Sequence, residues 1–360
     1  AGAQDAPRPA RRGSGETHRP DRGGPDLRVS PRASPGRHRG SRRRLIAAGS
    51  TLLAPAWARA QSTGSRPVTI VVPFPPGGGT DAFARPLFGA MTRAAGRQYL
   101  IDNRGGAGGN LGAGIAAKAA PDGTNFFMGA VHHAIAPAMY PKLDYSLEHD
   151  FVPVTMVASV PQVIVVNPQR VAARTLPQLL ELLRAKPGGL NYGSAGNGTS
   201  HHLAGELFKQ QSRTFITHIP YRGAGPALQD LIAGQVDLMF DGLASSAAHI
   251  RSGKLHAIAV AGTRRAPGFP DIATAREQGL PDYVVSTWYA LFAPKATPRD
   301  AVERFGAEVR RAIASDELRA TWTGLGAEPP DLQGEALGKF VAAETRRWAE
   351  VVKRSGAKLD

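Results

Sequence analysis

The stretch VTIVVPFPPGGGTDAFARPLF, residues 68–88, decides how the rest of the chain is read. Val68 to Val72 form a short apolar run of the kind buried on both faces of a sheet. Pro73, Pro75 and Pro76 end it, because proline has no N–H for a sheet ladder. Gly77, Gly78 and Gly79 follow, free to take positive φ or to let another group approach the backbone. Thr80 suits a helix cap, and Asp81 suits the positive end of the helix beginning there. Strand, glycine turn and helix start leave several N–H groups without internal partners, and such a cluster binds anions.

The same theme recurs downstream. QYLID (98–102) reads as a strand, and a glycine-rich turn from Gly105 to Gly114 runs into a helix over 111–120. NFFMG (125–129) is a strand, followed by HHAIAPAMY as a short helix or loop. Two strands are expected at 152–158 and 160–167. Thr175, with Gln178 three positions on, makes a capping box for a helix over Leu176–Ala185. LNYGSAGNGTSHHLAGELF (190–208) repeats strand, glycine loop and helix. TFITHIPY (214–221) leads through RGAGPALQDLIAG into a third such unit. Further strands fall at 236–242, 255–262 and 284–294. Val302, Phe305, Val309 and Ile313 form an amphipathic stripe, and a second stripe from Leu337 to Val352 stops at Gly356. Strands alternating with helices imply βαβ units, mostly parallel sheets and, for this length, two lobes. Ligands bind such sheets at the carboxyl ends of strands, where all three glycine loops lie.

The net charge of +15 is uneven: residues 1–60 carry 13 Arg against 4 acids, leaving 31 basic and 25 acidic residues beyond them. The folded part is only mildly basic, so no nucleic-acid partner is expected. Residues 1–40, rich in Arg, Pro, Gly and Ser, are expected to be a disordered extension. Residues 41–60 have the three parts of a secretory signal: Arg42 to Arg44, an apolar run from Leu45 to Trp57, and Ala58-Arg59-Ala60 as the cleavage site. The run is too short to span a membrane, which takes roughly 20 residues. Export to the periplasm follows, by the general or the twin-arginine route. The sequence has no cysteine, which excludes disulfides, thiolate nucleophiles and sulfur metal sites.

Several chemistries compete for these motifs. GGGTDA (77–82) with Asp102 outlines a dinucleotide fingerprint, but the prolines before the glycines argue against that tight turn. Ser194 lies in YGSAG, where a nucleophile elbow needs glycine at Tyr192, so loop and cap roles fit better. His132–His133 and His201–His202 are adjacent pairs without a metal-site spacing. No metal and no cofactor is therefore expected. Arg222 suits either a carboxylate clamp or a loop brace. Asp241 suits a buried turn acid or a polar ligand contact, and Phe74 and Tyr221 suit pocket walls or plain core.

Taken together, the motifs resemble one family. They are VPFPPGGGTDAFAR (72–85), DNRGGAGGNLG (102–112), NYGSAGNGTSHHLAGELF (191–208), IPYRGAGPAL (219–228) and GQVDLMFD (234–241), with YPKL and DFVPVT between the second and third. In this order they resemble the Bug-type receptors of tripartite tricarboxylate transporters, which are extracytoplasmic solute-binding proteins. Two positions depart from that pattern: Gly105 stands where proline is common, and Pro86 interrupts the first helix. The resemblance implies an α/β, type 2 periplasmic-binding-protein fold, with two lobes joined by crossover hinge strands around a cleft. It assigns 66–162 and 285–360 to one lobe and 163–284 to the other, with crossings near 160–166 and 284–290. It implies a small carboxylate ligand, membrane permease subunits as partners and a monomer. The ligand contacts expected are Phe74, Gly77, Gly78, Gly79, Thr80, Asp81, His133, Ser194, Gly196, Asn197, Gly198, Thr199, Ser200, Tyr221, Gly223, Ala224, Gly225 and Asp241. His133 is expected to reach the cleft and read the ligand's far end. An exported enzyme acting on a carboxylate, and a sensing partner of a membrane kinase, are the alternatives.

Overall fold

The computed structural model describes residues 66–357, so the expected extension and secretory segment lie outside the described residues. β1 (Val68–Val72) leads into α1 (Gly79–Ala95) and β2 (Tyr99–Asn103). A 3-10 turn (Ala107–Gly109), α2 (Asn110–Ala117), β3 (Asn125–Ala130) and α3 (Val131–Met139) follow. Next come β4 (Phe151–Val166), α4 (Leu176–Ala185), β5 (Asn191–Ser194), α5 (Ser200–Ser212), β6 (Thr217–Pro220) and α6 (Ala224–Ile232). β7 (Leu238–Gly242), α7 (Leu243–Arg251), β8 (His256–Val260) and β9 (Ser286–Pro294) complete the strands. α8 (Arg299–Ile313), α9 (Asp316–Gly324) and α10 (Gly334–Ser355) close the fold.

The strands lie in the order β2-β1-β3-β9-β4-β7-β5-β6, with β8 also on β4. Two strands were expected over 152–167, yet β4 is one unbroken strand of 16 residues. Its first part, Phe151 to Pro161, pairs with β9, and Gln162 to Val166 pair with β7 and β8. It is therefore the crossing between two sheet halves. Its prolines sit where the ladder tolerates them: Pro153 at a register shift and Pro161 at the last pair with β9. The sheet is less parallel than expected. β1 is parallel to β2 and β3, and β5 to β6 and β7, but every pairing of β4 or β9 is antiparallel. The reason is that β4 runs out across both halves and β9 runs back, which βαβ counting does not anticipate.

The apolar residues form one large cluster on each face of this sheet. Along β4, Ile164 and Val166 join one cluster, while Val163 and Val165 join the other, as the alternation of a strand requires. Each cluster takes residues from both sheet halves. α8 packs against α1 and β4, and α10 packs against α3, β4 and α5. The α10 seam is anchored by Glu344, which accepts hydrogen bonds from Trp288 Nε1 at 3.0 Å and Trp348 Nε1 at 3.1 Å. Neither α7 nor α9, each only nine residues long, was signalled by the sequence.

Candidate functional site

The first glycine loop begins a helix, but not at the expected cap. Gly78 is the N-cap, Gly79 and Thr80 are the first helical residues, and Thr80 makes no capping bond. The third helical position does the capping. Asp81 Oδ2 accepts the Gly77 N–H at 3.0 Å and Arg85 Nε at 2.7 Å, and its Oδ1 accepts Asn103 Nδ2 at 3.2 Å. Asp81 and the Gly77 amide are thus engaged within their own loop. The amides of Gly78, Gly79 and Thr80 make no hydrogen bond to the described residues. They carry the positive end of α1.

The third loop meets the first directly. Gly223, at φ 131°, is the N-cap of α6. Only glycine holds that backbone angle without strain. A Cβ on Gly78 would lie 3.6 Å from Ala224 Cβ, and one on Gly225 would lie 2.5 Å from the Pro76 carbonyl oxygen. Two helix starts on different sheet halves therefore touch, and their unpartnered amides converge. Phe74, Ala195 and Ala224 form a small apolar cluster beside them.

The loop between β5 and α5 contributes less than expected. Ser194 Oγ accepts the Gly196 amide at 3.0 Å and bonds His218 at 2.6 Å. Thr199 is the N-cap of α5, and its hydroxyl also donates to the Gly196 carbonyl at 2.7 Å. The Gly198 amide donates to His202 Nδ1 at 3.2 Å, and the Ser200 amide donates to His132 Nδ1 at 2.9 Å. Most of the donors assigned to this loop are thus taken by the protein itself. Asn197 bridges outward: its carbonyl accepts Tyr140 Oη at 2.8 Å. A cavity of about 250 Å³ opens here, lined by Phe74, the Gly106–Gly109 turn, Tyr140, Gly196, Asn197 and Tyr221, with exposed Arg222 at its rim. Wider grooves exist elsewhere, such as one of about 500 Å³ beside Phe151 and Lys339, where the single helix start is that of α10 with acidic Glu335 in its first turn.

His133 is a correction. It does not line the cavity; its Nδ1 bonds the Ala130 backbone at 3.0 Å, and its ring packs edge-on against Phe127 and Tyr145. The cause is its position three residues past the cap, from which a side chain folds back on the preceding amide. His132, also buried, packs edge-on against Phe74 and His201 at ring separations of 5.0 and 5.7 Å. Its bond to the Ser200 amide fixes the acceptor at Nδ1 and the ring proton at Nε2. Asp241 is fully buried at the end of β7, and its Oδ2 accepts both Ser245 and Ser246 hydroxyls, at 2.7 and 2.5 Å. Sequence reasoning missed Tyr140, which lines the cavity. Tyr289, on β9, places its phenol oxygen where a Cβ on Gly79 would overlap it. Its pKa is pushed up by burial and by the Asp241 charge. Among the described residues, no three His, Asp or Glu side chains are placed to hold a metal ion.

Burial holds these imidazoles neutral. His132 is pushed well below the ordinary 6.5, by burial first and then by His201 and His133. Burial likewise lowers His133 to about 4 and His218 to about 3. Between those values and 6.5 the unfolded chain binds more protons than the folded one. Stability is therefore complete above 6.5 and falls as pH drops toward 4, by about 1.4 kcal/mol per unit for each such histidine. Thermal melts at about pH 7 and about pH 5 should differ by several degrees, the acid one lower. Equal melting temperatures would contradict the burial of these rings.

Comparison with known proteins fits this geometry. The family described as "Tripartite tricarboxylate transporter family receptor" matches residues 83–357. BugT of Bordetella pertussis is 35% identical over 297 residues, covering 82% of this chain and 91% of that protein. A UPF0065 protein in the tcbD-tcbE intergenic region of Pseudomonas sp. (strain P51) is 39% identical over 315 residues, 86% of this chain and 94% of its own. Among solved structures, the periplasmic binding protein BugD superposes with a TM-score of 0.79 at 32% identity, covering 82% of this chain and 99% of that one. MatC from Rhodopseudomonas palustris with bound malate gives 0.75 at 37% identity, over 80% and 99% of the two chains. The fold is that of the periplasmic binding proteins, and this chain belongs to the tripartite tricarboxylate transporter receptor family.

Proposed function

We propose that this chain is a periplasmic receptor that captures a small carboxylate between its two sheet halves. One observation carries the reading: the starts of α1 and α6 lie against each other, with the amides of Gly78 to Thr80 and Gly223 to Gly225 making no hydrogen bond among the described residues. Neutral amides at two helix N-termini hold a carboxylate without a lysine or arginine. Hydrogen bonds to a charged group contribute roughly 1.5–3 kcal/mol each, and micromolar binding needs about 8 kcal/mol net. Four such bonds leave room for the cost of ordering ligand and protein. The structures of MatC with malate and of the R. palustris protein Rpa4515 with adipate name carboxylates in two relatives, at 37% and 33% identity. Residues 66–162 and 285–360 would form one lobe and 163–284 the other. The closed form would then dock as a monomer on membrane permease subunits. Among the described residues no helix is long and apolar enough to cross a membrane.

A thermal-shift panel of carboxylates tests this. A ligand at about one hundred times its Kd adds about 2.7 kcal/mol to the folded state and raises the melting temperature by several degrees. A flat panel across di- and tricarboxylates, amino acids and aromatic acids would refute the receptor. Recovery of the bound acid unchanged, at one per chain, separates it from an enzyme.

A further inference from the structure

Two hydrogen bonds tie α3, which follows β3 in the N-terminal sheet half, to the loop between β5 and α5 in the other half. Tyr140 Oη, just past the end of α3, donates to the Asn197 carbonyl at 2.8 Å, and both residues line the cavity. In the first turn of α3, His132 Nδ1 accepts the Ser200 N–H at 2.9 Å. Ser200 is the first residue of α5, so this amide is one that a helix start leaves without an internal acceptor. The two bonds differ in their response to acid. The Tyr140 phenol keeps its proton, its pKa raised by burial. His132 accepts only while Nδ1 is bare. Its ring proton is on Nε2, so a second proton has to enter at Nδ1. Donor would then face donor, and a cation would face the positive end of α5.

Resting on the receptor reading, we propose that the Ser200–His132 bond is an acid-sensitive latch between the sheet halves: they close and hold the ligand while the imidazole is neutral, and part when it takes up a proton. The surroundings of His132 supply no anion to keep that proton in the closed form. From α5, His201 packs on its ring, from the loop after β1 comes uncharged Phe74, and His133 is its neighbour on α3. Asp241, at the end of β7, acts on His201, whose Nε2 is 3.6 Å from its Oδ1, and not on His132. Of the other elements packed on α3, α10 pairs Glu344 with Arg347, and Lys118 after α2 pairs with Asp144. Neither pair acts on His132. Burial first, then His201 and His133, push the closed-form imidazole well below 6.5. Parted halves return it to water and to that ordinary value. The open form therefore binds more protons below 6.5. Closure is at full strength above that pH and weakens by up to about tenfold per unit as the pH falls.

The sequence has no cysteine, so spin labels on Leu111→Cys, exposed on α2, and Arg222→Cys, exposed at the cavity rim, report the separation of the halves in the ligand-free protein. Between about pH 7.5 and about pH 5.5, the ratio of long to short distances should rise about tenfold when no other change is made. His132→Asn puts a carbonyl oxygen in place of Nδ1 and takes no proton, so its ratio should change by less than about twofold. Ser200→Pro removes the donor from the other side. Proline suits the first helical position, and Thr199 before it is already extended at ψ 163°. That variant should show mostly long distances at both pH values. A ratio that ignores pH in the otherwise unchanged protein overturns the latch, even where a variant does not fold. A pH response that survives in His132→Asn or in Ser200→Pro overturns it too. Thermal shifts with the carboxylate panel at about pH 7.5 keep the readings apart. If an acid raises the melting temperature while the separation is blind to pH, the receptor stands and the latch falls; a flat panel removes both.

Discussion

Gly225→Val should lower the affinity for whichever acid the carboxylate panel identifies by about a hundredfold or more, about 2.8 kcal/mol, without lowering the melting temperature of the free protein. The argument is geometric. The second residue of α6 packs against the other sheet half. What a Cβ meets is the Pro76 carbonyl oxygen at 2.5 Å and the Gly77 carbonyl carbon at 3.6 Å, both in the loop after β1. Backbone cannot step aside as the end of a flexible side chain can, so the halves must part. Parting at the crevice separates the α1 amides from the α6 amides and dismantles the ligand site, while the two apolar clusters on the faces of the sheet hold the fold. Gly89→Ala supplies the contrast. Its Cβ would meet only Arg93 Nη1, at 3.6 Å in mid-helix, and should stabilise by about 0.5–1 kcal/mol. Calorimetry and melts on the two variants decide it, and an unaltered affinity in Gly225→Val would remove α6 from the site.

Trp322→Ala should cost the fold about 3–5 kcal/mol and lower the melting temperature by about 10 °C. Trp322 lies 1% exposed on α9, edge-on to Phe83 at a ring separation of 5.2 Å. Its Nε1 donates to the Val157 carbonyl at 2.8 Å. That carbonyl needs an outside donor because the β4–β9 register shifts between Met156 and Ala158 and passes Val157 by. The alanine variant loses ring volume and leaves a buried carbonyl bare. Trp322→Phe keeps most of the volume and loses only the donor, so it should cost about 1–3 kcal/mol. Denaturant titrations of both separate the two contributions. A phenylalanine variant as stable as wild type would mean that the indole N–H does nothing for the bulge.

Where local chemistry decides the outcome, the sequence was legible. Thr175 caps α4, which runs over Leu176–Ala185 as its capping signal indicated, with Gln178 Oε1 reaching back to the Arg174 amide at 2.7 Å. The stripes of α8 and α10 are buried, and Gly356 ends α10 at φ 66°. The first and third glycine loops lie against each other, with Gly78 beside Ala224 and Gly225. What failed to show depends on distant pairing. Nothing near Val160 says that β4 continues through Pro161, because the partner that keeps it extended is β9, more than a hundred residues later. Ser194, Thr199 and Asp81 have the right types for ligand contacts, yet each has a partner within its own loop or on a neighbouring strand. Which of the two adjacent rings, His132 or His133, meets the α5 start depends on a contact 68 residues away in sequence.

The place of β9 also bears on the order in which the molecule can assemble. It lies between β3 and β4, so the central rung of the N-terminal half is the last strand made. Until residue 294 is available, β3 and the outer stretch of β4 have no common neighbour, and a ribosome-bound chain that short cannot zip up that half. Closing a gap of this span is entropically slow. A nascent polypeptide of this design stays threadable for nearly its whole synthesis, and truncation anywhere before Ser286 should leave two unzipped edges rather than a smaller working half.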